Sequence, residues 1–321
     1  MRNRPALELP RRPVVLDGGM GRELRFRNVP VPETIWSAHA LLAAPDTVVE
    51  IHRDFIAAGA DIITTNTYGV IRADLETEGI AHRFDELNRL ACRLAAEAAG
   101  GAETSVWIAG SLPPLQGSYR PDRVGSFEEI VPLYREQAAL LAPHVDLLLC
   151  ETMSSAAEAR AAAVAACETG RPVWVSWTLH EDRSGRLRSG ETIDAAVDAL
   201  AGLPVTGLLA NCCAPESITA AMPMLVRSGA SRIGGYANTF LPVPEDWSLD
   251  GPGEADGLLA LRDDLGPEAY ARHAERWLAA GASVVGGCCG TRPSHIARLH
   301  ALVHPAGENG RKPEPTENAN P

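Results

Sequence analysis

Lysine is nearly absent from this chain of 321 residues, in which Lys312 is the only example. Covalent catalysis through a lysine Schiff base is therefore excluded unless Lys312 supplies the amine. Nucleic acid is excluded as a partner, because the formal net charge is −12 and a phosphate backbone requires a basic surface. Apolar residues form no run long enough to cross a bilayer, so we expect no membrane-spanning segment.

Features of a secreted, disulfide-linked protein are missing as well. The cysteine count of seven is odd, and a chain of this length does not need disulfides for stability. Residues 1–12 are polar and contain four arginines, which is unlike a secretory signal. We therefore expect a cytoplasmic protein whose thiols are reduced. The cysteines also lack the C-x-x-C spacing of a small structural zinc module.

Short apolar runs that alternate with helix-like segments indicate the fold. Eight runs are predicted strands, at 14–16, 62–65, 106–109, 146–150, 173–177, 206–210, 232–236 and 283–287. Eight strand–helix units in a chain of this size favour the α/β class and a single (β/α)₈ TIM barrel, predicted to span residues 1–303. A doubly wound open sheet is the alternative, although the first strand is not followed by a G-x-G-x-x-G loop. Residues 304–321 are expected to form a disordered tail.

The same helix–glycine–strand unit occurs near both ends of the chain. Helical spacing predicts helices over 45–58 and 270–280, and Gly59 and Gly281 are expected to end them. The spacing Thr47-x-x-Glu50 predicts a capping box at the start of the first helix. Repetition of this unit is typical of a parallel sheet with crossover helices.

Two cysteine pairs lie where predicted strands end, and they are the strongest chemical signal in the sequence. Cys212-Cys213 follows one strand and Cys288-Cys289 follows another. Because barrel enzymes place their sites at the carboxyl ends of the strands, these thiols are expected to meet at one face. Several thiols together predict a soft metal site, with zinc as its occupant. The alternative, a small buried hydrophobe, is the interpretation that we prefer for Cys92 and Cys167, which lie in helix-like segments.

Polar residues at the other strand ends are expected to complete this site. Two are carboxylates, Asp17 and Glu151. The others are Thr65, Asn66, Ser111, Thr178, Asn211, Tyr236 and Asn238. Asp17 alone could be a turn residue and Glu151 alone could cap a helix, but their convergence at one end of a barrel indicates a binding site.

These motifs resemble those of the homocysteine S-methyltransferase family. The resemblance extends from about residue 14 to residue 300, and it rests on segments 17–21, 59–67, 146–152, 211–212 and 286–291. It implies a barrel in which Cys212, Cys288 and Cys289 hold Zn²⁺, without a ligand role for Cys213. It also implies that Asp17 and Glu151 bind the amino acid, and that a methyl group passes to homocysteine to give methionine.

The implied reaction agrees with the chemistry of the residues. Three thiolates on zinc leave a fourth position open, and a thiol that binds there loses its proton, so the protein needs no general base. The donor would be a cation such as S-methylmethionine, S-adenosylmethionine or betaine. Aromatic residues at or near strand ends are candidates to contact that cation, with packing as the alternative: Trp36, Tyr68, Trp177 and Tyr236. Transfer from a folate through cobalamin is disfavoured because the sequence offers a single barrel.

Other functions stay open at this point. A zinc-holding barrel without catalytic activity, methyl transfer to a different thiol, and a redox enzyme with vicinal cysteines are the alternatives. The carboxylate pair favours an enzyme. The sequence departs from the S-methylmethionine enzymes at 110–114, at 119–122 and at Arg22, which leaves the donor open. Pro-rich loops at 112–125 and 240–257 are expected to form rims or lids over the site, and assembly into a homo-oligomer is undecided.

Overall fold

The computed structural model describes residues 7–32, 34–243 and 259–305. Within these ranges eight parallel strands form one sheet in the order β1-β8-β7-β6-β5-β4-β3-β2. They are β1 (Val14–Val15), β2 (Ile62–Thr64), β3 (Trp107–Leu112), β4 (Leu147–Met153), β5 (Val173–Trp177), β6 (Val205–Asn211), β7 (Arg232–Ala237) and β8 (Val284–Gly287). A parallel bridge between Leu16 and Ile62 joins the two remaining edges. The predicted (β/α)₈ barrel is therefore confirmed, and the open sheet is excluded.

Helices alternate with the strands. In the described ranges the α-helices are α1 (Met20–Phe26), α2 (His39–Ala43), α3 (Pro45–Ala57), α4 (Arg72–Thr77), α5 (Phe84–Gly100), α6 (Phe127–Leu141), α7 (Ala156–Cys167), α8 (Ile193–Asp198), α9 (Pro215–Arg227), α10 (Pro267–Ala279) and α11 (Pro293–Val303). None of them is both long and apolar enough to cross a membrane. Cys92 lies buried in α5 and Cys167 ends α7, in agreement with the packing interpretation of both residues.

The repeated helix–glycine–strand unit is confirmed, but its predicted capping box is wrong. Gly59 follows α3 with a φ of 96°, and Gly281 follows α10 with a φ of 114°. Glycine adopts this left-handed conformation at little cost, so the chain can turn directly from each helix into the next strand. Helix α3 begins at Pro45, whose ring suits the first helical position. Thr47 therefore lies inside the first turn, and the helix has no side-chain cap.

Alternation along the strands separates two apolar clusters. One fills the barrel interior and is formed by Val14, Leu16, Ile62, Ala109, Leu147, Leu149, Trp174, Leu209, Tyr236 and Val284. The other lies between the sheet and the helices and includes Trp177. Because side chains alternate between faces along a strand, Trp174 and Trp177 of β5 point in opposite directions. The suggested contact between Trp177 and a donor is therefore wrong.

Parts of two predicted segments fall outside the described residues. These parts are 244–257 of the second Pro-rich loop and 306–321 of the predicted tail. The first Pro-rich loop, residues 112–125, is described in full and follows β3. It reaches the carboxyl end of the barrel, where it contributes to the cavity described below.

Glu158 in α7 is a buried carboxyl group whose ionisation should affect the stability of the fold. Its side chain is buried, and its Oε2 atom accepts hydrogen bonds from the backbone N–H and the hydroxyl of Ser154, each at 2.8 Å. Burial raises the pKa of Glu158 from 4.5 to about 7. The folded chain thus keeps a proton that the unfolded chain releases, and wild-type stability should fall as pH rises between these values.

We expect Glu158→Gln to remove this pH dependence, because the amide oxygen can accept the same two hydrogen bonds without ionising. The free energy of unfolding of the wild type, relative to the variant, should decrease by about 3 kcal/mol between pH 4 and pH 8. Urea denaturation of both proteins across this range measures the difference. A difference that does not change with pH would contradict a buried, protonated Glu158.

Candidate functional site

A cavity lies at the carboxyl ends of the strands, where the sequence predicted a site. Its walls include eight of the predicted strand-end residues: Asp17, Thr65, Asn66, Glu151, Cys212, Tyr236, Cys288 and Cys289. Of the aromatic candidates, Trp36 and Tyr68 also line it. Asn238 does not, and its side-chain oxygen instead accepts a hydrogen bond from the backbone N–H of Phe240. The convergence expected of a parallel barrel is therefore observed.

Three of the four paired cysteines form a cluster in the cavity wall. The Sγ atoms of Cys212, Cys288 and Cys289 all lie within 4.8 Å of one another, and those of Cys212 and Cys289 are 3.7 Å apart. Tetrahedral zinc with Zn–S bonds of about 2.3 Å separates its sulfur ligands by about 3.8 Å. The cluster could therefore hold a metal ion. Cys213 belongs instead to the outer apolar cluster, and burial raises the pKa of its thiol well above the ordinary range.

Hydrogen bonds among the three thiols shift their pKa values in opposite directions. Bonds from Cys288 and Cys289 hold the pKa of Cys212 well below its ordinary range. The bond to Cys212 raises the pKa of both donors. The hydrogen bonds among the thiols thus favour the thiolate form of Cys212 over those of Cys288 and Cys289.

Backbone strain directs Cys212 into the cavity. Its φ of 51° lies in the left-handed region, which costs a residue other than glycine on the order of 1–3 kcal/mol. Two hydrogen bonds hold this conformation: the Cys212 N–H donates to the carbonyl of Tyr236, and the Thr178 hydroxyl donates to the carbonyl of Cys212, each at 3.2 Å. Thr178 thus supports the site from behind the cavity wall.

A tight turn presents Cys288 and Cys289. The hydroxyl and the backbone N–H of Thr291 both donate to the carbonyl of Cys288, at 2.7 and 3.1 Å. The hydroxyl of Thr291 also packs against Gly287, where a Cβ atom would lie 2.1 Å from it. Only glycine fits at that position, which explains the residue that precedes the cysteine pair.

Two buried carboxylates face the same cavity and are held by hydrogen bonds. Asp17 is 7% exposed, and it accepts from the backbone N–H of Thr64 at 2.8 Å and from its hydroxyl at 3.0 Å. Glu151 is 8% exposed, and it accepts from the hydroxyls of Ser111 and Tyr236. Burial raises the pKa of each carboxyl to about 7. A cation bound between them would favour the ionised form of both.

A bulge in β4 determines the direction in which the side chain of Glu151 points. The register with β5 shifts between Cys150 and Met153, and Thr152 has a φ of 62°. The side chain of Asn211 fixes this bulge by accepting from the Thr152 N–H and donating to the Thr152 hydroxyl, both at 2.9 Å. Bulges of this kind re-aim side chains next to binding sites. Asn211 therefore connects the strand that carries Glu151 to the strand that ends beside Cys212.

Sequence reasoning missed several residues of the cavity wall, of which Tyr119 is the most informative. Its hydroxyl lies 2.8 Å from the Sγ atom of Cys212. Tyr119 and its neighbour Ser118 belong to the loop after β3, where the sequence offered two signals, the Pro-rich composition of the loop and the expected departure from related enzymes at 119–122. Both residues lie several positions after the end of β3, so a search restricted to strand ends could not identify them. They reach the cavity because the loop folds back over the barrel.

Comparison with known proteins identifies the family of this chain. The family model described as homocysteine S-methyltransferase matches residues 14–303, which is nearly the whole barrel. The chain belongs to the homocysteine S-methyltransferase family. The resemblance inferred from the sequence motifs and the predicted class of enzyme are thus confirmed.

The chain is similar to homocysteine methyltransferases from Escherichia coli. The homocysteine S-methyltransferase of strain K12 is 32% identical over 308 residues, which cover 90% of this chain and 94% of the relative. The crystal structure of the homocysteine methyltransferase MmuM in its metallated form is 29% identical, with a TM-score of 0.76 over 91% of this chain and 96% of that one. The apo form of MmuM gives a TM-score of 0.68.

Proposed function

We propose that this chain transfers a methyl group from a cationic donor to the thiol of homocysteine, with zinc as cofactor, and releases methionine. One observation carries the proposal: three clustered thiols and two buried carboxylates line a single cavity. Its partners are then two small molecules, the thiol acceptor and the methyl donor.

Cys212, Cys288 and Cys289 would hold the zinc ion. The 3.7 Å separation of two of their sulfur atoms suits tetrahedral coordination, and an all-thiolate set is typical of zinc. Bound zinc would supply an acid strong enough to ionise the thiol of homocysteine near neutral pH. The metallated crystal form of the E. coli relative supports a metal in this family.

Asp17 and Glu151 would bind the ammonium group of homocysteine. Both carboxylates are buried in the cavity wall, and hydrogen bonds from Thr64, Ser111 and Tyr236 already fix their positions. An ammonium ion between them would form charge-assisted hydrogen bonds and would keep both carboxylates ionised. Because the amine is anchored, the thiol at the other end of the molecule would be oriented toward the cysteine cluster.

The donor is proposed to be a sulfonium or a betaine-type quaternary ammonium compound. As the new sulfur–methyl bond forms, the old bond to the methyl group breaks, and its electron pair stays with the donor heteroatom, which leaves uncharged. Trp36, Tyr68 and Tyr236 line the cavity, and aromatic rings of this kind attract cations over their faces. The contribution of the protein would be to place the sulfur, the methyl carbon and the leaving group in line.

The test is methionine formation by the zinc-loaded protein. Homocysteine is incubated with S-methylmethionine, S-adenosylmethionine or betaine in separate reactions, and methionine is quantified by mass spectrometry. We expect methionine from at least one donor with the zinc-loaded protein, and none with metal-free protein. Absence of methionine with every donor would favour a barrel that holds zinc without transferring methyl groups. A parallel reaction contains cysteine in place of homocysteine. Methylation of cysteine to the same extent as homocysteine would contradict homocysteine as the acceptor.

A further inference from the structure

The hydroxyl of Tyr119 lies against a sulfur atom of the cysteine cluster. It is 2.8 Å from the Sγ atom of Cys212, and Tyr119 is only 5% exposed. The residue belongs to the loop after β3, which was expected from the sequence to form a rim or lid over the site. The contact therefore brings this loop directly to the cysteine cluster.

Several contacts hold Tyr119 in that place. Its φ of 64° lies in the left-handed region, so the backbone conformation needs support from its surroundings. The neighbouring Ser118 forms a hydrogen bond with the hydroxyl of Tyr68. On the ring of Tyr119, the guanidinium carbon of Arg188 lies 5.0 Å from the centroid, within the range of a cation–π contact. Arg188 in turn donates to the carbonyl of Val243 with two nitrogen atoms, each at 3.2 Å.

The direction of the hydrogen bond follows from the state of the sulfur. A cysteine that binds a metal has lost its proton and can only accept, whereas a tyrosine hydroxyl keeps its proton at neutral pH. With a metal bound to Cys212, the hydroxyl of Tyr119 would therefore donate to this sulfur. Groups that donate to metal ligands orient those ligands and withdraw charge from them, and their loss commonly weakens metal binding.

We propose that Tyr119 is a positioning residue for the metal site, whose hydroxyl donates a hydrogen bond to the Cys212 thiolate and holds that sulfur in place as a ligand. This inference rests on the proposed zinc site. Its consequence is that one of the three thiolates donates less charge to the metal than the other two. The loop after β3 thereby becomes part of the metal site.

Cobalt substitution tests the proposal without reference to catalysis. Co²⁺ replaces zinc in thiolate sites, and its sulfur-to-metal charge-transfer absorption depends on the electron density of the sulfur. We expect Tyr119→Phe to shift this band to longer wavelength, because a thiolate without the hydrogen bond gives up an electron more easily. Zinc affinity, measured by competition with a chromophoric chelator, should fall roughly tenfold. Circular dichroism checks that the variant is folded.

Tyr68→Phe is the matched control, because it removes a hydroxyl that contacts Ser118 on the same loop and not the sulfur. Its charge-transfer band should stay at the wild-type position. Incorporation of 3-fluorotyrosine at position 119 preserves the shape of the side chain and makes its hydroxyl a stronger donor. The band should then shift to shorter wavelength, which a purely structural role of the ring would not produce.

Four results would overturn the proposal. An unchanged band in Tyr119→Phe would show that the hydroxyl does not act on the sulfur, and an equal shift in Tyr68→Phe would assign the effect to the loop. Loss of the visible bands of tetrahedral cobalt in Tyr119→Phe would make Tyr119 a ligand itself. Wild-type protein that binds neither zinc nor cobalt would overturn the metal site as well, so the two failures are distinguishable.

Discussion

If the proposed function is right, the wild type binds about one zinc ion per chain, and the Cys288→Ala variant is expected to lose this ion and methyl transfer with it. Cys288 is one of three thiols whose sulfur atoms all lie within 4.8 Å of one another, and two thiolates alone do not make a stable zinc site. The same loss is expected for Cys212→Ala and Cys289→Ala. Metal content after dialysis against a chelator, measured by atomic emission, gives the result.

The barrel should largely survive this loss. Cys288 follows β8 at the rim and is a partly buried residue at the edge of the interior cluster, whose fully buried members are other, apolar side chains. Cys213→Ala is the matched control, because Cys213 is adjacent to Cys212 in sequence but packs in the outer apolar cluster. It should keep its full zinc content. Zinc retained by Cys288→Ala, or lost by Cys213→Ala alone, would show that the ligands are assigned wrongly.

Homocysteine should bind ten- to a hundredfold more weakly to zinc-loaded Glu151→Gln than to the wild type, which corresponds to about 1.5–3 kcal/mol. The amide group can keep both contacts of the wild-type carboxylate, because its oxygen can accept from the hydroxyl of Ser111 while its NH2 donates to the hydroxyl oxygen of Tyr236, so the geometry of the wall should persist. The negative charge that attracts the ammonium group is what the variant loses. Calorimetric titration with homocysteine measures the change, and zinc content should be unaffected.

Two controls separate a direct contact with the amine from a general disturbance. The first control is 3-mercaptopropionate, a thiol without an amine, which should bind the wild type poorly. Its affinity should fall little further in Glu151→Gln, and this non-additivity between removing the amine and removing the charge indicates that the two groups are in contact. Glu158→Gln removes another buried carboxyl whose pKa is raised to about 7, but outside the cavity, and it should bind homocysteine like the wild type. Unchanged affinity in Glu151→Gln would place the ammonium elsewhere, and loss of zinc would make Glu151 part of the metal site.

The barrel could be predicted because its strands are apolar runs of the right length and spacing. The run at 173–177 coincides with β5, but β3 and β4 extend three residues beyond their predicted ends at 109 and 150. The added residues of β3 are Gly110, Ser111 and Leu112, which do not read as a buried strand locally. They are held by pairing with residues of β4 that lie 38 positions further along the chain.

The side of the sheet to which an individual side chain points was less predictable from the sequence. Trp177 is the last residue of β5, at the end of the barrel where the site lies, yet it points to the helices, because its face depends on the position at which the pleat begins. The capping box at Thr47 failed for a related reason. The pattern was present, but Pro45 begins the helix earlier, and a local motif cannot indicate which of two starts is used.

The sequence by itself determined that thiols and carboxylates meet at one end of a barrel, since parallel strands bring all their carboxyl ends to the same face. Motif resemblance, rather than spacing, distinguished Cys212 from Cys213. Only the tertiary structure decided how side chains enter the site: the bulge in β4 directs Glu151, and the loop after β3 brings Tyr119 to Cys212. Those directions depend on backbone torsions that hydrogen bonds between distant segments impose, and such bonds leave no mark in the local sequence.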